Sequence, residues 1–217
     1  MSIKENLAEI KMKLPGSVTL VAVSKTKSIE DIMEAYNAGQ RVFGENKIQE
    51  MAQKWDAMPK DISWHMIGHV QRNKVKYMAG FVAMVHGVDS LKLLKEIDKQ
   101  AQKHQRIIEC LLQVHIAEED TKFGLSEIEL QELVGSQELL SLENIRIVGL
   151  MGMATFTEDK DQVSREFKKL KVLFETTKLA LPQLTVLSMG MSGDYDIAIA
   201  EGSTMVRIGS SIFGNRN

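Results

Sequence analysis

Short apolar runs alternate with amphipathic helical stretches from one end of this chain to the other. Strand-like runs fall at Thr19–Val23, Val42–Gly44, Ile62–Ile67, Phe81–His86, Ile107–His115, Ile145–Met151, Thr185–Ser188 and Met205–Gly209. Helical periodicity falls between them, at Ile29–Ala38, Lys47–Ala57, Val70–Ala79, Leu91–Gln105, Glu127–Val134, Gln162–Leu181 and Gly193–Glu201. The apolar stripes are those of helices packed on a sheet: Ile29, Ile32, Met33 and Tyr36 on one, Val163, Phe167, Leu170 and Phe174 on another. Ser28 with Asp31, and Ser126 with Glu129, have the spacing of capping boxes, and Gly39 and Gly135 fall where a helix-ending C′ glycine belongs. Strict strand–helix alternation requires a parallel sheet with helical crossovers, and eight repeats predict an α/β fold of the closed (β/α)₈ TIM-like barrel type. Only Ser210–Asn217 follow the last strand, too few residues for a full outer helix. A leading helix within residues 1–13, with Ile3, Leu7 and Ile10 on one stripe, is placed to cover that gap or one end of the barrel.

Composition narrows the class. A chain of 217 residues, 44% hydrophobic, buries one substantial core, and with no linker or low-complexity segment the expectation is a single domain over residues 1–217. With 27 basic and 29 acidic residues the formal charge is −2, so no bulk field favours nucleic acid or an anionic membrane. No apolar stretch approaches the roughly 20 residues of a membrane span, and the amino terminus has no signal-peptide core. The single cysteine, Cys110, lies in an apolar run that predicts a buried, inert thiol, in keeping with a reducing cytoplasm.

Candidate chemistry sits at strand ends. The first strand closes on Ser24-Lys25, and a lysine at the carboxyl end of a buried strand is a candidate Schiff-base amine, since partial desolvation lowers its pKa. Taken alone, such a lysine more often snorkels to solvent. The far end of the chain shifts that balance. Ser188-Met189-Gly190-Met191-Ser192-Gly193 and Met205-Val206-Arg207-Ile208-Gly209-Ser210 read as two successive strand-end turns suited to a phosphate, after strands seven and eight where barrels often hold one. Gly190 and Gly193 let backbone amides approach an anion, and Ser192 is expected as an N-cap. Arg207 interrupts an otherwise apolar strand, so its guanidinium wants an acceptor: a structural carboxylate or the ring nitrogen of a heterocycle.

The motifs carry a family resemblance. Ala22-Val23-Ser24-Lys25, Phe43-Gly44-Glu45-Asn46, Trp64-His65-Met66-Ile67-Gly68 with Gln71 and Asn73-Lys74, Gly149-Leu150-Met151, Leu187–Ser192 and Gly202–Gly209 together resemble the pyridoxal phosphate homeostasis protein family, from about residue 19 to 214. The resemblance implies an alanine-racemase N-terminal-domain type of barrel, fold type III, holding pyridoxal 5′-phosphate. It implies that Lys25 carries the internal aldimine, that Ser192, Gly209 and Ser210 hold the phosphate, that Arg207 faces the pyridine nitrogen, and that Asn46 lies beside the cofactor. His69 departs from the pattern, where a proline or a small residue is expected.

What that cofactor would do depends on the groups around it. An arginine at the ring nitrogen disfavours protonation there, so carbanions would be stabilised weakly. Racemases of this fold add a catalytic tyrosine from a second domain, and none of Tyr36, Tyr77 and Tyr195 is placed to substitute for it. The leading expectation is therefore a cytoplasmic, monomeric protein of intracellular cofactor homeostasis. It would buffer or deliver pyridoxal phosphate, with pyridoxal-phosphate-dependent apoenzymes as its partners, keep amino- and keto-acid pools balanced, and have no catalytic residue and no robust turnover. Two alternatives differ in class: a low-activity amino-acid racemase, and a metal-dependent barrel hydrolase recruiting His65, His69, His86 and His115 beside Glu45, Asp89 and Glu118.

Overall fold

The structure of the protein, a computed structural model, describes residues 2–119 and 123–214. Within them β1 (Thr19–Val23), β2 (Val42–Glu45), β3 (Ser63–Met66), β4 (Met84–Val88), β5 (Ile108–Gln113), β6 (Ile145–Met151), β7 (Val186–Ser188) and β8 (Met205–Ile208) form a closed barrel in sequence order. Every pairing is parallel, and β8 returns to β1 with Val21 opposite Arg207. The outer ring comprises α1 (Ile3–Lys13), α2 (Ile29–Asn37), α3 (Ile48–Ala57), α4 (Leu91–Lys103), α5 (Glu127–Val134), α6 (Lys160–Ala180), α7 (Tyr195–Ala200) and α8 (Ser210–Phe213).

Side chains on a strand alternate between faces, and here the alternation divides the core in two. Val21, Met84, Leu111, Val148, Met151 and Met205 fill the barrel interior, whereas their neighbours Leu20, Ala22, Val85, Cys110 and Val206 join the larger layer between strands and helices. Cys110 is fully buried, and burial pushes its thiol pKa up, as expected of an inert cysteine. The short α8 does leave a gap in the ring, and α1 fills it: Asn6 Nδ2 donates to Ile212 O at 3.0 Å while Lys4 N donates to Glu34 Oε1 of α2 at 3.0 Å. Residues 215–217, part of the short tail expected from the sequence, lie outside the described residues.

Three expectations are corrected. The Val70–Ala79 segment forms a 3₁₀ helix over Arg72–Tyr77 rather than an α-helix, closed by i→i+3 bonds such as Lys74 N to Gln71 O at 2.9 Å; its buried Val75 and Met78, three apart, eclipse on one side. The fourth strand begins at Met84, not Phe81, because Phe81 is spent on stacking against Trp55 with ring centroids 4.7 Å apart. Gly39 takes the left-handed conformation of a C′ residue at φ 88°, but Gly135 is the C-cap of α5 at φ −79° and needs no glycine. The Ser126–Glu129 capping box is complete, and an equivalent Ser2–Glu5 box starts α1.

Candidate functional site

The carboxyl ends of the strands open into a cavity of about 1090 Å³, and all six residues singled out in the sequence, Lys25, Asn46, Ser192, Arg207, Gly209 and Ser210, line it. A smaller groove of about 340 Å³, at the amino-terminal end of β1 and β2, contains none of them. The strand-end positions thus converge because a parallel barrel sends every strand's last residue to one rim.

The two glycine turns differ from the sequence reading in one detail. Gly190 has φ 97°, and a Cβ there would lie 2.6 Å from the Ala198 Cβ of α7, so only glycine lets the turn follow β7 this closely under that helix. Ser192, however, is not an N-cap. The helix begins at Tyr195 with Asp194 at the capping position, and the Ser192 hydroxyl instead accepts from Gly209 N at 3.3 Å and, more weakly, from Ser211 N at 3.5 Å. That hydroxyl joins the turn after β7 to the turn after β8, and two backbone amides of the latter converge on it at the cavity wall.

Arg207 is buried, with its guanidinium donating to Ser188 Oγ at 2.7 Å and to Gly152 O at 3.1 Å. Among the described residues no carboxylate forms an ion pair with it, and burial pulls its pKa down to about 10. The acceptors it bonds are thus a hydroxyl and a carbonyl, while the Asp194 carboxylate acts on it by charge and offsets part of that fall. Behind Arg207 runs a chain that the sequence did not reveal: Ser188 Oγ to His86 Nδ1 at 3.2 Å, His86 Nε2 to His65 Nδ1 at 3.0 Å, and His65 Nε2 to Ser63 Oγ at 3.3 Å. A guanidinium can only donate, so Ser188 Oγ accepts from Arg207, and the direction that keeps the fully buried Ser188 proton bonded is the following one. Ser188 accepts from Arg207 and donates to His86, His86 donates from Nε2 to His65, and His65 donates from Nε2 to Ser63. Both rings are then neutral. Burial lowers the His65 pKa to about 4, and burial followed by the charges of His65 and Arg207 holds His86 well below its ordinary value.

These neutral histidines make the fold acid-sensitive. A depressed folded-state pKa contributes stability that is complete above the unfolded value of 6.5 and is lost as pH falls toward about 4. From His65 alone the protein should be roughly 2 kcal/mol less stable at pH 5 than at pH 7. Glu45 pulls the other way, since burial raises its pKa and its contribution declines as pH rises. Thermal melts at the two pH values, in wild type and His65→Phe, separate them: the fall in midpoint should shrink in the variant, and an equal fall in both would show that His65 does not titrate in this way.

Asn46 lines the cavity, and its side-chain Oδ1 is buried without a hydrogen-bond partner. Its backbone is fixed by Gly68, where a Cβ would meet Asn46 O at 2.5 Å. His69 lies at the rim, its Nδ1 3.4 Å from Asp89 Oδ2 and its ring stacked on Phe123 at 4.3 Å. None of the three tyrosines lines the cavity among the described residues; Tyr36 donates to Asp61 and Tyr195 packs in α7. The histidines considered as metal ligands are committed elsewhere: His65 and His86 to each other, His69 to Asp89, and His115 Nε2 to Glu119 O at 2.9 Å. Among the described residues no three His, Cys, Asp or Glu side chains converge as a metal set.

Comparison with known proteins places this geometry. The family profile described as alanine racemase, N-terminal domain, matches residues 1–217. A pyridoxal phosphate homeostasis protein of Aquifex aeolicus is 41% identical over 202 residues, covering 91% of this chain and 86% of that protein. PipY of Synechococcus elongatus is 35% identical and superposes over 98% of this chain and 100% of its own, with a TM-score of 0.93 without PLP and 0.89 with PLP bound. An alanine racemase of Clostridium difficile, 16% identical, has the same fold at a TM-score of 0.83, over 99% of this chain and 57% of that one.

Proposed function

The chain belongs to the alanine racemase N-terminal-domain family, and within it to the pyridoxal phosphate homeostasis proteins, and from that membership we propose that it binds pyridoxal 5′-phosphate in the cavity at the carboxyl end of the barrel. Its role is to hold the cofactor and release it to apoenzymes in the cytoplasm, as a monomer and without robust turnover of its own. The observation that carries this reading is the convergence of Lys25, Arg207 and the two glycine turns on one cavity, with Arg207 satisfied by a hydroxyl and a carbonyl.

The residues fit the group. Asn46 Oδ1 is a buried acceptor in want of a donor, the turns bring amides and the Ser192 and Ser210 hydroxyls to one place, and Lys25 supplies an amine. Bound pyridoxal phosphate supplies an electrophilic aldehyde and an electron-accepting ring. Ser192, Gly209 and Ser210 bind the phosphate through hydroxyl and amide donors. Lys25 holds the cofactor covalently. Arg207, whose proton stays on the guanidinium, donates to the ring nitrogen and keeps it unprotonated, which weakens the ring as an electron sink. The histidines behind Ser188 are too weakly basic to take that proton, since burial holds both well below their ordinary pKa while Arg207 stays at about 10. Among the described residues no tyrosine lines the cavity, so the tyrosine that racemases of this fold add from a second domain has no counterpart on its wall. This favours holding over turnover, and over the racemase alternative.

The test is direct. Purified protein mixed with pyridoxal phosphate should turn yellow, and borohydride should fix the cofactor on Lys25 in a peptide map. Recovery on Lys27, which also lines the cavity, or on Lys47 or Lys74, would overturn the site.

A further inference from the structure

The segment that carries Lys25 is held by a buried ion cluster on α3 that the cofactor reading does not use. Lys54, with 7% of its side chain exposed, spends its three ammonium protons on Ser24 O at 2.8 Å, Glu45 Oε1 at 2.8 Å and Glu50 Oε1 at 2.7 Å. Glu50 Oε1 also accepts from Thr26 N at 2.6 Å, and Ser24 Oγ donates to Glu45 Oε1 at 2.6 Å. The carbonyl before Lys25 and the amide after it are thus tied to the two halves of one ion pair, Lys54 and Glu50, which lie one helical turn apart. Immediately after the second tie the chain makes a left-handed step at Thr26, φ 63°, a conformation that a β-branched residue avoids unless its surroundings impose it.

We propose that Glu50 and Lys54 are positioning residues that bracket the Lys25 backbone and aim its amine at the cofactor's aldehyde carbon; this rests on the functional reading above. The step they assist is a condensation. The neutral amine nitrogen attacks the aldehyde carbon, a carbon–nitrogen double bond replaces the carbon–oxygen one, and the oxygen leaves as water with the two amine hydrogens. No oxidant or reductant enters. A bracket of this kind changes the rate of covalent capture and leaves untouched the binding of a ligand that cannot condense.

Pyridoxine 5′-phosphate, which has an alcohol in place of the aldehyde, is that ligand. Capture of pyridoxal phosphate, followed by absorbance after mixing and trapped with borohydride, is compared with equilibrium affinity for pyridoxine 5′-phosphate in the full-length protein. Glu50→Met, which removes the acceptor but keeps the volume, should slow capture at least about tenfold, since misplacement of a reacting group by a fraction of an ångström costs this much or more. Affinity for the alcohol should be unchanged. Glu50→Gln, whose amide oxygen still accepts from Thr26 N and Lys54, should restore most of the rate. Glu50→Asp retains the charge with a shorter reach and serves if the methionine variant does not fold, with a smaller slowing, about threefold, expected on the same grounds. Capture at the wild-type rate in Glu50→Met or Glu50→Asp would overturn the bracket while the cofactor reading stands. A parallel loss of alcohol affinity would make Glu50 a general prop and also overturn it. If wild-type protein takes up neither ligand, the functional reading fails and the bracket with it.

Discussion

Lys25→Ala should abolish covalent capture of pyridoxal phosphate and leave a protein that still prefers the phosphorylated ligand. The amine and the phosphate turns are separate pieces of the cavity wall: Lys25 follows β1, whereas Ser192, Gly209 and Ser210 follow β7 and β8. Removing the amine deletes the covalent bond outright and touches none of the phosphate donors, which are held by their own contacts, Ser192 Oγ to Gly209 N and Arg207 N to Gly190 O at 2.9 Å. Each hydrogen bond to a charged group contributes about 1.5–3 kcal/mol. Two such bonds correspond to a preference for pyridoxal phosphate over pyridoxal of roughly a hundredfold or more. Calorimetric titration of the variant with both ligands measures it. Equal affinity for the two would remove the case for a phosphate site at these turns, whatever happens to the colour of the protein.

The periodicity of apolar positions carried the barrel, because a strand buried on both faces and a helix buried on one leave different spacings, and eight alternations have one common closed solution. It failed between β3 and β4, where apolar residues are present for reasons other than a regular element. Phe81 stacks on Trp55, and Val75 and Met78 sit on a 3₁₀ turn whose period of three a reading for 3.6 takes as α-helix. The strand-end residues were legible because a barrel converts sequence position into spatial position: the last residue of any strand lies at one rim. Contacts that cross the barrel were not. His86 meets Ser188 from 102 residues away, and His65 meets His86 from 21, so neither sequence spacing nor residue type singles out the chain behind Arg207. Lys54 escaped for a related reason. On the helix surface it reads as one more solvated lysine, and only the fold reveals that α3 turns this side chain inward onto Ser24 and Glu45.

Arg207→Glu should produce the largest change at the ring end of the site, and the hydrogen-bond chain gives the reason. The guanidinium donates to Ser188 Oγ; a carboxylate in its place can only accept. Ser188 would then donate toward residue 207, its oxygen would be left to accept from His86 Nδ1, and both histidines would have to exchange tautomers. The repulsive charge that helps to keep His86 neutral would also become attractive, so its pKa should rise. Gly152 O loses its donor, and the new carboxylate is buried, so a loss of roughly 3 kcal/mol, or about 10 °C in melting temperature, is expected before ligand is added. In the folded variant a carboxylic acid shares its proton with the ring nitrogen rather than withholding one, and the ring becomes a stronger electron acceptor. The absorbance of bound pyridoxal phosphate should shift, and its response to pH between 5 and 8 should differ from that of wild type because His86 and the new carboxyl now titrate near the ring. Exchange of an amino acid's α-proton should become at most slowly detectable by NMR in deuterated water, since no tyrosine lines the cavity to serve the opposite face. An unchanged spectrum in a folded, cofactor-loaded variant would mean that Arg207 does not reach the ring, and its buried charge would then serve only to tie β8 to Ser188 and Gly152.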